Sequence, residues 1–123
     1  MKKIAVLIVL IFTLLIVGCV HMVNDTLKVK GGEPVLYQCE NGDLITARYY
    51  SISDDSLYFV KVSMPDSNEY TLPLSVSASG TRYTDNHDFV WWVKGDTALV
   101  ETRSEAGTWE IKYRDCKQIS RTE

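Results

Sequence analysis

The sequence predicts an all-β protein built from about eight short strands. Residues 109–114 alternate apolar and charged side chains with a period of two, which is typical of a half-buried antiparallel strand. Turn-forming residues separate further short segments that resemble β-strands in composition. From Val35 onward, no segment has apolar residues at helical spacing. Regularly spaced short strands of this kind indicate a sandwich or a small barrel.

Seven further strands precede that segment, each bounded by turn residues. The predicted strands cover residues 35–39, 44–50, 56–62, 70–74, 81–84, 89–93 and 97–102. Asn41-Gly42 and Lys94-Gly95-Asp96 are typical of tight hairpin turns. Eight strands are about enough to close a barrel whose interior is filled by side chains.

The N-terminus has the features of a secretory signal. Lys2 and Lys3 precede an apolar run over residues 4–17, which is broken only by Thr13. The following string Ile16-Val17-Gly18-Cys19 resembles a bacterial lipobox, in which the cysteine is acylated and becomes the new N-terminus. This resemblance predicts a signal peptide over residues 1–18 and a lipid on Cys19.

An uncleaved transmembrane anchor is the alternative, although residues 4–20 are at the short limit of what spans a bilayer. Both interpretations export residues 21–123. Loss of Lys2 and Lys3 with a signal peptide changes the formal net charge from −3 to −5, with 16 acidic residues remaining. An acidic domain binds nucleic acid poorly. Its negative charge is explained either by attraction of a basic protein partner or by the need to keep a small domain soluble.

Residues 19–34 are predicted to be a flexible, lipid-anchored tether, because they include Gly31, Gly32 and Pro34 and offer little to bury. The folded domain is expected over residues 35–123.

Once Cys19 is assigned to the lipid, Cys39 and Cys116 remain. An even pair in an oxidising compartment predicts a disulfide, with two buried free thiols as the alternative. In the chain-entropy model, closing so long a loop contributes about 4.5 kcal/mol. The sequence has no CxxC motif, so it indicates neither a redox site nor a zinc finger.

Catalytic motifs are missing from the sequence. His21 lies in the predicted tether, and His87 lies in the polar turn over residues 85–88, where a solvated turn is favoured over a metal site. Ser79 has no nearby base of the kind that a nucleophile requires. The sequence therefore predicts neither an enzyme nor a metal or cofactor site.

Two glycine-containing turns are the remaining candidates for a binding site. Gly80 follows Ser79, and Gly95 follows Lys94, so each turn can present the preceding side chain outward. A lysine on a stiff hairpin is a preorganised cation that suits an acidic pocket. The alternative is that Lys94 is a solvated turn residue and that Trp91 and Trp92 serve only in packing.

The order of these features resembles the family of membrane-bound inhibitors of C-type lysozyme. The matching segments are Tyr37-Gln38-Cys39, then Ser79-Gly80-Thr81-Arg82-Tyr83, and then Trp92-Val93-Lys94-Gly95-Asp96-Thr97-Ala98. Cys116 matches a final cysteine of the family. The resemblance covers roughly residues 35–118, and the two central motifs are specific in combination.

The resemblance implies a compact eight-stranded antiparallel barrel with one disulfide. It also implies a protein partner, C-type lysozyme, whose two catalytic carboxyl groups would meet Ser79 and Lys94 in the cleft. The remaining contact residues that it implies are Gly80, Arg82, Tyr83 and Gly95. A small-ligand barrel and a purely structural envelope lipoprotein are the competing functions.

The predicted location is the bacterial cell envelope, with the domain facing the periplasm. Val20 stands where an aspartate would mark retention in the inner membrane, so the outer membrane is favoured.

We predict that Cys19→Ser abolishes lipidation, because the substitution removes the acylated thiol. Incorporation of labelled fatty acid into wild-type and variant protein measures this directly. Equal labelling of the two proteins would contradict the lipobox assignment.

Overall fold

The polypeptide closes into a barrel of eight antiparallel strands. The computed structural model describes residues 1–17 and 25–121. Each strand pairs with the next one along the chain, and the last pairs with the first. The strands are β1 Val29–Gln38, β2 Leu44–Ile52, β3 Tyr58–Ser63, β4 Glu69–Ser75, β5 Thr81–Thr84, β6 Phe89–Lys94, β7 Thr97–Arg103 and β8 Trp109–Arg121. The barrel, rather than the sandwich, is therefore the correct all-β architecture.

The N-terminal apolar segment forms helix α1, Lys2–Val17. Within the described ranges no helix is both long enough and apolar enough to cross a membrane. The predicted cleavage point between Gly18 and Cys19 lies outside the described residues, as does His21.

β1 begins at Val29, inside the segment that the sequence predicted to be a tether. The backbone of Lys28 bonds with Ser53, and Val29 pairs with Ile52 on β2. The register shifts between Gly31 and Pro34, where Gly31 has a φ of 93° and passes directly against the Tyr49 carbonyl. A side chain at position 31 would collide with that carbonyl, so the glycine pair forms a bulge in the strand and not a flexible link.

Alternation along the strands fills the barrel interior. Trp91 on β6, Ile45 on β2 and Val60 on β3 are fully buried. The Trp91 ring meets Tyr37 edge-on, with ring centroids 5.0 Å apart. The other interior side chains are those of Val35, Cys39, Ala47, Val62, Met64, Leu72, Tyr83, Phe89, Ala98, Val100 and Cys116.

The polar atoms of three interior aromatic side chains are paired with one another. Tyr49 accepts a hydrogen bond from Trp91 Nε1 at 3.0 Å, and its hydroxyl lies 2.9 Å from the hydroxyl of Tyr37. Burial, reinforced by the hydrogen bond with Tyr37, raises the pKa of Tyr49 far above its usual value, so this phenol stays neutral. An interior occupied by interlocked aromatic side chains counts against the small-ligand barrel.

A disulfide joins the first and last strands, as predicted. Cys39 directly follows β1, Cys116 lies within β8, and both are buried. Their neighbours Gln38 and Lys117 pair across the same seam. β8 continues well beyond the predicted end at residue 114, which brings Cys116 opposite Cys39.

We predict that Cys116→Ala lowers the free energy of unfolding by about 2–5 kcal/mol, because it frees the long loop in the unfolded chain. Denaturant titration of wild type and variant measures the loss. Thiol titration of the denatured, unreduced wild type is the control, and reactive Cys39 and Cys116 thiols there would contradict the bridge.

Candidate functional site

Two neighbouring turns leave the same end of the barrel. The first, residues 76–80, connects β4 to β5, and the second connects β6 to β7 around Gly95. Thr81 pairs with Val93 at the junction between β5 and β6. The antiparallel register therefore places Ser79-Gly80 beside Lys94, although Ser79 and Lys94 are far apart in sequence.

The first turn holds its shape through local hydrogen bonds. Ser77 Oγ donates to the Ser79 carbonyl at 2.6 Å and accepts from the Ser79 amide at 3.4 Å. The same carbonyl accepts a hydrogen bond from Trp92 Nε1 at 2.9 Å. The Ser79 side chain is exposed, and its hydroxyl has no hydrogen-bond partner among residues 1–17 and 25–121.

Gly80 lets the first turn approach β6 closely. Its φ is 66°, and a Cβ added there would collide with the Val93 carbonyl and lie 2.9 Å from Lys94 Cγ. Gly95, in the second turn, has a similar φ of 63°, but a Cβ there would meet nothing within 4 Å. Gly80 is thus required for both its backbone conformation and the space, whereas Gly95 is required for its conformation alone.

Lys94 is an exposed cation on an ordered turn. Its carbonyl accepts a hydrogen bond from Thr97 Oγ1 at 2.9 Å, which ties the two ends of the turn together. Its ammonium lies 4.4 Å from the centre of the Trp92 ring. Within the described part of the chain, no carboxylate forms an ion pair with Lys94.

The alternation of β5 separates Arg82 from Tyr83. Arg82 pairs with Trp92 on the outer surface, and its guanidinium carbon lies 5.9 Å from the Trp92 ring centre. Tyr83 points inward, is 8% exposed and packs against Tyr49 with ring centroids 5.8 Å apart. Burial raises the pKa of Tyr83. Of the two, only Arg82 lies on the outer surface of the barrel, and Tyr83 packs in the interior beneath it.

A groove of about 260 Å³ lies beside Lys94 on the outer face of β6, β7 and β8. Trp92 and Leu99 pair across its floor, and Ile111, which is 44% exposed, extends the apolar strip. Arg114 and Asp115 also line the groove. Sequence reasoning did not identify this groove, although outward alternation of apolar residues on three neighbouring strands was the available signal.

In the polar turn over residues 85–88, the Asp85 side chain forms hydrogen bonds to neighbouring backbone amides. Asp85 Oδ1 accepts hydrogen bonds from the amides of His87, Asp88 and Phe89, at 2.8–3.1 Å. In the described ranges no three metal-ligating side chains come together. Asp85 therefore acts as the acceptor that shapes this turn.

Comparison with known proteins identifies the family. The family model described as "Membrane-bound lysozyme-inhibitor of c-type lysozyme" matches residues 37–109, which is more than half of the chain. The chain belongs to this family. The matched range contains both turns, together with β2 to β7.

Two curated relatives carry the name membrane-bound lysozyme inhibitor of C-type lysozyme. The relative from Yersinia enterocolitica is 34% identical over 110 residues, which cover 87% of this chain and 76% of the relative. The relative from Cupriavidus necator is 27% identical over 82 residues, which cover 67% of this chain and 62% of the relative. No solved structure gives a significant match.

Membership of the lysozyme-inhibitor family places the chain among inhibitors and not among enzymes, in agreement with the sequence prediction. The relatives' names also describe them as membrane-bound, which agrees with the membrane association predicted from the N-terminal sequence.

We predict that Gly80→Ala destabilises the fold more than Gly95→Ala does. Both variants force an alanine into a left-handed conformation at a cost of about 1–2 kcal/mol, but only Gly80→Ala adds a collision with β6. Denaturant unfolding of the two variants measures the difference. Equal destabilisation would mean that the first turn does not pack against β6 in solution.

Proposed function

We propose that this protein is a lipid-anchored envelope protein that inhibits C-type lysozyme by placing Ser79 and Lys94 in its active-site cleft. The observation that carries the proposal is an exposed lysine, which forms no ion pair within residues 1–17 and 25–121, beside an exposed serine hydroxyl on two turns packed against each other. The family membership of the chain supports the choice of target.

The chemistry of lysozyme explains why such a pair of groups would inhibit it. Retaining enzymes of this type use one protonated and one ionised carboxyl group, separated by about 5–5.5 Å. The Lys94 ammonium would pair with the ionised carboxylate as water leaves the cleft. The Ser79 hydroxyl can donate or accept a hydrogen bond, so it suits either carboxyl group. Inhibition would then require occlusion of the cleft and no covalent step.

The rest of the surface is compatible with this mode of binding. Arg82 and Gly95 flank the two central residues, and Gly80 lets their turns lie close together. The net charge of −5 expected after loss of the signal peptide would speed encounter with a basic enzyme.

The proposed location follows from the N-terminal sequence. A lipid on Cys19 would hold the domain at the membrane, and Val20 favours the outer membrane over the inner one. The domain would face the periplasm, where an invading lysozyme reaches the cell wall.

The direct test mixes the full-length chain, in mild detergent, with C-type lysozyme and follows lysis of a cell-wall suspension. We expect dose-dependent slowing of lysis that saturates, whereas detergent alone has no effect. A purely structural envelope lipoprotein would leave the rate unchanged at every dose.

We predict that Lys94→Ala weakens inhibition about 30- to 5,000-fold, which corresponds to the 2–5 kcal/mol lost when one partner of a desolvated charge pair is truncated. Ser79→Ala should cost less, about 0.5–1.5 kcal/mol, because it removes a neutral hydrogen bond. Lys94→Arg should give partial loss, since guanidinium is wider and planar. Inhibition constants for the three variants are the measurement.

Lys112→Ala is the matched control for these variants. It removes the same charge from an exposed site on β8 and should leave inhibition within about twofold, because an exposed charge away from the contact acts mainly on the association rate. Circular dichroism should show all variants folded. A folded Lys94→Ala protein that inhibits as well as wild type would remove Lys94 from the mechanism.

A further inference from the structure

Trp92 contacts both turns of the candidate site. Its indole nitrogen donates a hydrogen bond to the Ser79 carbonyl at 2.9 Å, and its ring lies 4.4 Å from the Lys94 ammonium. We propose that Trp92 is a positioning residue that fixes Ser79 and Lys94 relative to each other before lysozyme binds. This inference rests on the proposed function and names the residue that organises its site.

The hydrogen bond links segments that are far apart in the chain. Besides this bond, the first turn meets β6 through the pairing of Thr81 with Val93 and through the close approach of Gly80, whose added Cβ would lie 3.2 Å from Trp92 Nε1. The Ser79 carbonyl accepts from both Ser77 and Trp92, so two donors from different elements define its direction. The Ser79 side chain is attached at the same residue and inherits that orientation.

The ring acts on the other turn through electrostatics. A lysine ammonium is attracted to the face of a tryptophan ring, and this restricts a side chain that otherwise has many rotamers. Arg82 lies near the same ring at 5.9 Å, and mutual repulsion of the two cations favours separate positions around the indole. The ammonium of Lys94 is thereby held over the ring whose N–H group bonds to Ser79, before any partner arrives.

Preorganisation of this kind increases affinity without a new contact, because the ordering of both turns precedes binding. Trp92 is itself only partly buried, so a direct contact with lysozyme is the competing explanation for any effect of its mutation. The two explanations differ in how the effect of Trp92 depends on Ser79.

The test begins with Trp92→Phe in the full-length chain. Phenylalanine keeps an aromatic face for Lys94 but has no N–H group to donate to Ser79. We expect inhibition to weaken about 2- to 13-fold, the equivalent of one neutral hydrogen bond. Trp109→Phe is the matched control, because Trp109 also carries a cation over its ring, Arg103 at 5.6 Å, but lies on β8 away from both turns. It should inhibit like wild type.

A double-mutant cycle separates positioning from direct contact. If Trp92 acts by positioning, Trp92→Phe should weaken inhibition by a smaller factor in Ser79→Ala than in wild type, because the lost N–H group is the one that orients Ser79. The same factor in both backgrounds would overturn the proposal and assign Trp92 a contact of its own. No weakening in the wild-type background would overturn it as well.

NMR of the free protein supplies a readout that does not depend on lysozyme. In wild type, the ε-methylene protons of Lys94 should be shifted upfield by the Trp92 ring, and Trp92→Phe should change the carbonyl carbon shift of Ser79. Trp109→Phe should leave both signals in place. If Trp92→Phe does not fold, the wild-type Lys94 signal still decides, and an unshifted signal would overturn the proposal.

These measurements also separate the inference from the proposed function. A wild-type protein that does not slow lysozyme would contradict the proposed function, whatever the spectra show. A wild-type protein that inhibits, but whose Lys94 signal is unshifted or whose Ser79 carbonyl signal is unchanged by Trp92→Phe, would contradict only the positioning role.

Discussion

Closure of β1 onto β8 is the constraint on which the rest of the structure depends. Every other strand pairs with its sequence neighbours, so closure alone removes the two open edges of the sheet. Its backbone pairing runs from Val35 to Gln38, and the Cys39–Cys116 disulfide lies at the end of that ladder. Closure fixes the curvature of the sheet and therefore the side-by-side arrangement of the strand ends that carry the two turns.

The alternation of side chains along each strand then places neighbouring residues on opposite faces of the barrel, where they have different roles. Trp91 fills the interior and bonds to Tyr49, whereas Trp92 lies on the outer face under Lys94. Tyr83 and Arg82 divide in the same way on β5. The inner faces of β5 and β6 thus contribute to the aromatic interior, and their outer faces carry the exposed site. Tight packing of the interior side chains limits the motion of the residues on the outer face.

The sequence alone was sufficient for the number and order of the strands, because turn residues and period-two alternation are local signals. It was misleading at Gly31, where a glycine pair typical of a flexible link forms a bulge pressed against Tyr49. It also gave no indication that Trp92 bonds to Ser79, since that contact depends on the register between β5 and β6. The family resemblance likewise implied Tyr83 as a contact residue, although the alternation of β5 turns its side chain into the core.

Because β1 begins at Val29, the linker between the proposed lipid on Cys19 and the barrel is short. With the proposed lipid on Cys19, about ten residues separate the membrane from Val29, and an extended chain covers at most about 3.6 Å per residue. The first strand would then stay within roughly 35 Å of the bilayer surface. Such a protein would be confined to a thin layer next to its own membrane. Its effective concentration in that layer would be higher than that of the same number of molecules diffusing freely through the compartment.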